Sequence, residues 1–261
     1  MSVDPAFAAL RERFDRRYRD TAAAAFTLGD EALVRTGIPE LDAALGGGFP
    51  RGTIGTLEGP PSSGRSALAA RLLAEATRRG LGALIGVELF PPALAAAGVR
   101  LDRLLVVPVH GADAARAADI VVRSGAFTVV VIPTLPSGRG TGSATWTRLA
   151  SLAHRANALV VALGDEASAE LRYFASVRLE TAIECVRWNG PAGHLGELAG
   201  YDVRAVIRKH KRAAPVGDAL VRCAGFDDRP PFVDVRERTL VRAGASHEPR
   251  SRSAFGRSAA I

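Results

Sequence analysis

A short apolar strand, a loop bounded by glycines and an amphipathic helix follow one another without a break, and this succession constrains the chain most. Residues 53–57 have the composition of a buried strand, and Arg65–Arg79 has the apolar spacing of a helix. The loop between them, Gly59–Ser66, has the spacing of the phosphate-binding motif G-x-x-x-x-G-K-[ST]. Glycines in such a loop let successive N–H groups turn inward beside the positive end of the helix. The succession therefore predicts an α/β fold with a phosphate loop, the name used below for Gly59–Ser66.

Most residues of the phosphate loop are candidates for contact with a nucleotide. They are Gly59, Pro60, Ser62, Ser63, Gly64, Arg65 and Ser66. The Ser66 hydroxyl stands where loops of this kind ligate Mg²⁺. Arg65 replaces the lysine of the motif, and a planar guanidinium does not substitute freely for a compact ammonium.

A second departure from an active ATPase site lies after the apolar run of residues 129–132. Phosphoryl transfer needs an acid at the end of this strand to hold Mg²⁺, but the chain has Pro133 followed by Thr134. An arginine finger alone is worth about 10³–10⁵ in rate, so two altered parts should cost at least as much. We expect ATP hydrolysis to be slow or absent, ATP to bind weakly or not at all, and Mg²⁺ binding to be doubtful. Backbone N–H groups leave weak nucleotide binding open.

Strand-like and helical segments alternate through the middle of the chain. Predicted strands cover residues 53–57, 83–87, 104–107, 128–132 and 159–163, and predicted helices cover 65–79, 112–123 and 146–155. Continuous apolar runs separated by helices indicate a mostly parallel central sheet with helices on both faces. Residues 177–187, 201–208 and 219–223 instead alternate with glycine and proline turns between them. They predict an antiparallel extension of the same sheet.

Three regions are predicted along the chain. Residues 1–30 comprise an N-terminal amphipathic helix and a linker, residues 31–228 form the core, and residues 229–261 form a flexible basic tail. Phe7, Leu10 and Phe14 lie on the apolar stripe of the N-terminal helix. This stripe either packs on its own domain or docks on a neighbouring protein, and the sequence leaves both alternatives open.

Composition narrows the classes of partner. The net charge is +7, which favours acidic partners such as nucleic acid, although a solvated basic surface accounts for it equally well. No apolar run approaches the roughly 20 residues of a membrane span, and no basic-then-apolar leader is present. We therefore expect a cytoplasmic protein without a membrane partner. Cys185 and Cys223 lack metal-ligand spacing and are expected to be small buried residues in strands.

Four stretches in the same order resemble the RecA recombinase family. They are the lead-in T-G-x-x-x-L-D-x-x-L-G at residues 36–46, the phosphate loop, the segment 173–180 (YFASVRLE) and the segment 208–215 (RKHKRAAP). The resemblance covers roughly residues 30–228 and implies a RecA-like core. Glu88 matches the glutamate that activates the attacking water in this family, here a vestigial candidate. Lys209 and Lys211 match lysines that reach the nucleotide across a filament interface, or else form an exposed strand face.

Departures from the family are also informative. The first DNA-binding loop of the family corresponds to the short glycine-rich residues 135–143, and the second is largely deleted between residues 164 and 171. The folded C-terminal domain is absent from this sequence. A chain with shortened DNA loops is not expected to form a normal recombination filament.

This combination is most similar to ImuA, a SulA-like RecA homologue that assists translesion synthesis. The resemblance implies an accessory role in the SOS response and induced mutagenesis, near the nucleoid after damage. The implied partners are RecA and an ImuB-type protein of the polymerase family, with single-stranded DNA as a further possibility. The interface candidates are Phe7, Leu10, Phe14, Lys209 and Lys211.

The alternative is an active DNA-dependent ATPase or recombinase. In that case Arg65 would serve for the motif lysine, Glu88 would be the base, and Asp165 or another acid would replace the missing metal ligand. A relative of the circadian-clock or archaeal recombinases would share the lead-in and the loop, but the segments at 173–180 and 208–215 argue against it.

Overall fold

The computed structural model describes residues 32–135, 142–189, 197–212 and 217–224. The predicted N-terminal helix with Phe7, Leu10 and Phe14 lies outside the described residues, as do the basic tail and most of the glycine-rich segment after β6. The strands and helices below are numbered along the chain within the described ranges.

Ten strands and six helices are described. The strands are β1 (Leu33–Val34), β2 (Phe49–Pro50), β3 (Ile54–Glu58), β4 (Leu81–Ile85), β5 (Leu104–Val107), β6 (Phe127–Pro133), β7 (Leu159–Gly164), β8 (Val177–Asn189), β9 (Glu197–His210) and β10 (Asp218–Ala224). The helices are α1 (Pro39–Ala44), α2 (Arg65–Arg79), α3 (Pro91–Ala96), α4 (Ala112–Arg123), α5 (Ser143–Ala156) and α6 (Ala169–Phe174), with a 3₁₀ turn at Leu101–Arg103. The predicted bounds of α2, α4 and β5 agree with the structure.

Eight strands form one sheet in the order β10-β9-β8-β3-β7-β6-β4-β5. All neighbours from β8 to β5 pair in parallel, whereas β9 and β10 add antiparallel strands beyond β8. The first two strands form a separate antiparallel pair. The predicted parallel sheet with an antiparallel extension is therefore confirmed.

Successive residues of the central strands pack into two different cores. On β6, Val129 and Val131 face one core while Val130 and Ile132 face the other. Helices α1, α2 and α3 contribute to the first core, and α4, α5 and α6 contribute to the second. Helices on both faces explain why these strands are apolar without interruption. None of the described helices combines the length and the apolar character needed to cross a membrane.

The hairpin formed by β8 and β9 contains shifts in its pairing register. Between Ile183 and Cys185 the pairing register shifts, so that Ile183 opposes Val203 and Cys185 opposes Asp202. The extra residue displaces the alternation, as β-bulges do. Cys185 is exposed and Cys223 is half-buried, so the expectation that both cysteines are buried was wrong. Residues 182–186 are all exposed, Ile183 before the shift among them, so Cys185 lies on a part of β8 that extends beyond the core.

Candidate nucleotide-loop site

The phosphate loop joins the end of β3 to the start of α2 through a tightly fitted turn. Gly64 has φ +91°, and a Cβ atom there would lie 2.3 Å from Cγ2 of Val203 on β9. Gly59 has φ +149°, and a Cβ atom there would lie 2.5 Å from the carbonyl oxygen of Thr181. Both positions therefore require glycine, because a side chain would meet strained backbone and occupied space together. The predicted strand, loop and helix are arranged as the motif requires.

Arg65 is folded back onto the loop that contains it. Its Nη1 donates to the carbonyl oxygen of Gly59 and lies 2.5 Å from Oδ1 of Asp165, which follows β7. The Gly59 N–H donates to the carbonyl oxygens of Gly164, at 3.2 Å, and Asp165, at 3.0 Å. The loop cation is thus engaged by oxygen atoms of the protein itself, and the loop is tied to the end of β7.

The buried part of the loop is held by hydroxyl groups. Oγ of Ser63 lies 2.8 Å from Oγ1 of Thr181, and that Thr181 hydroxyl donates to the carbonyl oxygen of Glu58 at 3.0 Å. Both serine and threonine are buried. Ser63 therefore anchors the loop to β8. The positive-φ residue Ser62 and the neighbouring Pro60 are exposed, as is Ser66 at the first turn of α2.

A charged side chain missed by the sequence prediction lies directly before the loop. Glu58 is 4% exposed, and its carboxylate accepts two hydrogen bonds of 2.8 Å from Arg178. It also accepts from the Thr56 hydroxyl and from the N–H of Ala167, at 2.6 Å and 3.1 Å. Burial raises the pKa of Glu58, but these hydrogen bonds outweigh burial and leave the pKa below its usual value. The sequence signal that could have identified Glu58 is that it is the one charged residue of β3.

The positions expected to bind Mg²⁺ and to activate water lie at the end of β6 and beyond the end of β4. Pro133 ends β6 opposite Leu163, and Thr134 donates its N–H to the Leu163 carbonyl oxygen at 2.9 Å. Glu88 is exposed and lies three positions beyond the end of β4. Within the described ranges, no group of three or more His, Cys, Asp and Glu residues is arranged to hold a metal ion.

A cleft of about 920 Å³ opens beside the phosphate loop. Ser66 and Arg71 of α2 line one side, and Phe90 of the segment before α3 lines another. Tyr201 and Cys223 line the side formed by β9 and β10. Burial raises the pKa of the Tyr201 hydroxyl and of the Cys223 thiol, which are neighbours in the β9 and β10 register. The cleft is large enough for a small ligand.

The two lysines of the chain bind carbonyl groups at the end of α6. Nζ of Lys209 lies 2.5 Å from the carbonyl oxygen of Arg172 and 3.1 Å from that of Tyr173. Nζ of Lys211 lies 3.2 Å from the carbonyl oxygen of Phe174 and 5.8 Å from the centre of the Tyr173 ring. Burial, with Lys211 and Arg178 nearby, lowers the pKa of Lys209. Both ammonium groups therefore donate hydrogen bonds to carbonyl oxygens at the C-terminal end of α6, which is the negative end of the helix dipole.

The lead-in motif has a structural role in the turn before α1. The Thr36 N–H and hydroxyl both donate to Oδ1 of Asp42, at 2.7 Å and 2.8 Å. Burial raises the pKa of Asp42 despite these hydrogen bonds. Leu41 is buried in the same core as α2. The motif thus fixes α1 beside the phosphate-loop helix.

The segment corresponding to the second DNA-binding loop is short. Only four residues, 165–168, separate the end of β7 from the start of α6. Arg172, at the far end of α6, pairs with Glu166 of this linker. Arg148 on α5 pairs with Asp119 of α4. The charges of these two arginines are therefore balanced by carboxylates within the chain.

Comparisons with known proteins agree with this architecture. Residues 18–137 match the model of the RecA N-terminal domain. Protein RecA of Methylococcus capsulatus is 31% identical over 265 residues, covering 85% of this chain and 74% of that protein. Protein RecA of Acinetobacter baylyi is 28% identical, with 84% and 75% covered. The crystal structure of the RadB recombinase has a similar fold, with a TM-score of 0.57, 20% identity, and coverage of 73% of this chain and 96% of that one.

Proposed function

The chain belongs to the RecA-like family of recombination and repair proteins, and from that premise we propose that it is an ATPase-deficient accessory protein of the bacterial DNA-damage response. In this proposal the chain functions by binding partners in the SOS response and in translesion synthesis, as ImuA does. The observation that carries this proposal is the position of Arg65, whose Nη1 is bound by Gly59 and Asp165 of the same chain.

Mg²⁺–ATP fits this site poorly. Arg65 replaces the motif lysine, and Pro133 supplies no carboxylate at the end of β6. Glu58, the acid nearest to the phosphate loop along the chain, already accepts hydrogen bonds from Arg178, Thr56 and Ala167. Asp165, the alternative metal ligand, is engaged by Arg65. The inferred state is a loop that binds nucleotide weakly or not at all and does not hydrolyse it.

We propose that a partner binds the surface formed by Tyr173, Lys209 and Lys211, called here the α6 surface. Tyr173 is 73% exposed, while the lysine ammonium groups beside it donate to carbonyl oxygens of α6. Exposed tyrosine side chains are enriched among the residues that contribute most to binding at protein interfaces. We infer that this surface docks beside RecA, and that an ImuB-type protein binds elsewhere on the chain.

A pull-down of purified chain with RecA and with an ImuB-type protein tests this proposal. The Tyr173→Ala variant should lose at least about tenfold in affinity for RecA, as an aromatic interface anchor does. Ile120→Ala is the matched control, since Ile120 is an apolar side chain on α4 that is 69% exposed. Absence of binding to both proteins would contradict the proposed function.

An active DNA-dependent ATPase is the second candidate, and the cleft beside Ser66 is the observation in its favour. Steady-state ATP hydrolysis with single-stranded DNA separates the two functions. We expect a rate near background that Arg65→Lys alone does not raise, because Pro133 still supplies no metal ligand. Rapid, DNA-dependent phosphate release by the unaltered chain would establish the enzyme instead.

A further inference from the structure

Asp165 is the carboxylate that contacts the cation of the phosphate loop, and we propose that this contact sets the loop's affinity for phosphate anions. In this proposal the Asp165 side chain is an internal competitor. It holds the Arg65 guanidinium, and an incoming phosphate has to take that guanidinium from it. Asp165 therefore determines the affinity of the loop for anions, and this goes beyond the proposed partner-binding role.

The contact involves a single nitrogen atom of the Arg65 guanidinium. Nη1 of Arg65 lies 2.5 Å from Oδ1 of Asp165 and also donates to the Gly59 carbonyl oxygen. The Arg65 side chain is 19% exposed, whereas that of Asp165 is 69% exposed. The cation is therefore largely enclosed, while its anionic partner stands at the solvent edge, where a soluble anion can replace it.

Asp165 is the one carboxylate paired with Arg65 among the described residues. Glu58 lies next to the loop, but its two oxygens already accept hydrogen bonds from Arg178, Thr56 and Ala167. Glu166 follows Asp165 directly and pairs with Arg172 instead. A change at position 165 therefore acts on Arg65 without freeing another carboxylate to replace it.

The backbone around Asp165 is held independently of its side chain. The Gly59 N–H donates to the carbonyl oxygens of Gly164 and Asp165, and the Ala167 N–H donates to Glu58. Replacement of the carboxylate by an amide should therefore leave the loop and the linker in place. This allows the charge of Asp165 to be removed without dismantling the site.

The test is pyrophosphate binding to the full chain, measured by isothermal titration calorimetry without divalent metal. Asp165→Asn should bind pyrophosphate about fivefold more tightly than the unaltered chain, the size of effect that a partly exposed ion pair exerts. Glu166→Gln is the matched control, because it removes the same charge one residue further on. It should leave the affinity unchanged, and thermal unfolding checks that both variants fold.

A double variant shows whether Asp165 acts through Arg65. In an Arg65→Ala background, Asp165→Asn should give no further gain, because the cation for which the anions compete is gone. Equal gains from Asp165→Asn and Glu166→Gln would overturn the proposal, since net charge alone would then explain them. Undetectable binding to Asp165→Asn would overturn it as well. These measurements use the isolated chain, so the outcome is separate from success or failure of RecA docking.

Discussion

Arg178 of β8 and Glu58 of β3 form a two-pronged ion pair, with 2.8 Å from Nε to Oε1 and 2.8 Å from Nη2 to Oε2. The pair lies at the boundary between the parallel sheet and its antiparallel extension, directly before the phosphate loop. The two residues of the pair are 120 positions apart in the sequence, so the pair joins two strands that are distant along the chain. The position of the loop relative to β8 therefore depends on this pair.

Removal of one partner from this pair should destabilise the fold strongly. Arg178→Ala is expected to lower the free energy of unfolding by about 3–5 kcal/mol, because Glu58 would remain buried and unpaired. Urea denaturation at neutral pH measures the loss. The control is Arg204→Ala, which removes exposed pairs with Glu184 of the same hairpin and with Asp218 of β10, and it should cost no more than about 1 kcal/mol. Equal losses would show that burial of Glu58 does not matter.

Stability should also depend on pH through Glu58. The folded state holds the pKa of Glu58 below its usual value. The stability that ionised Glu58 contributes is therefore complete at pH values above that usual pKa. The contribution is lost as the pH falls through the lowered folded pKa. Glu58→Gln should flatten this acid-side decline, as seen in unfolding free energies measured across a pH series. Glu184→Gln, at an exposed pair, should leave the decline unchanged.

Gly64 should tolerate no side chain. Gly64→Ala combines a positive φ with a Cβ atom 2.3 Å from Val203, and should cost about 3 kcal/mol through backbone strain and overpacking. Gly125→Ala is the control, because Gly125 also has positive φ but nothing lies within 4 Å of its Cβ position. It should cost about 1 kcal/mol, as φ strain alone does. Thermal unfolding of both variants compares the two, and Val203→Ala should reduce the excess cost.

Lys209 should stabilise the C-terminal end of α6. Lys209→Ala removes an ammonium group that contacts the carbonyl oxygens of Arg172 and Tyr173, a loss of about 1 kcal/mol. Hydrogen exchange should be about fivefold faster at the α6 amides and unchanged in α2. Arg212→Ala, a nearby exposed cation, serves as the control. Unchanged exchange in α6 would contradict the capping role and leave Lys209 free for a partner.

Local patterns were sufficient for several elements. The bounds of α2, α4 and β5 follow from apolar periodicity within one segment, which does not depend on the rest of the chain. The phosphate loop and the mostly parallel character of the central sheet were also predicted, because the motif spacing and the alternation of apolar runs with helices can be read along the chain. The Cys185 prediction failed because residues 182–186 of β8 are all exposed, and how far a strand extends beyond the packed core depends on the tertiary structure.

The sequence by itself determined the α/β architecture, the position of the loop and the two chemical substitutions, Arg65 and Pro133. Only the tertiary structure decided which groups these residues meet. Asp165 reaches Arg65 across 100 positions of the chain, and Lys209 reaches Arg172 across 37. Periodicity is a property of neighbouring residues and can be read along the chain, whereas the partner of a charge depends on which strand ends the sheet brings together.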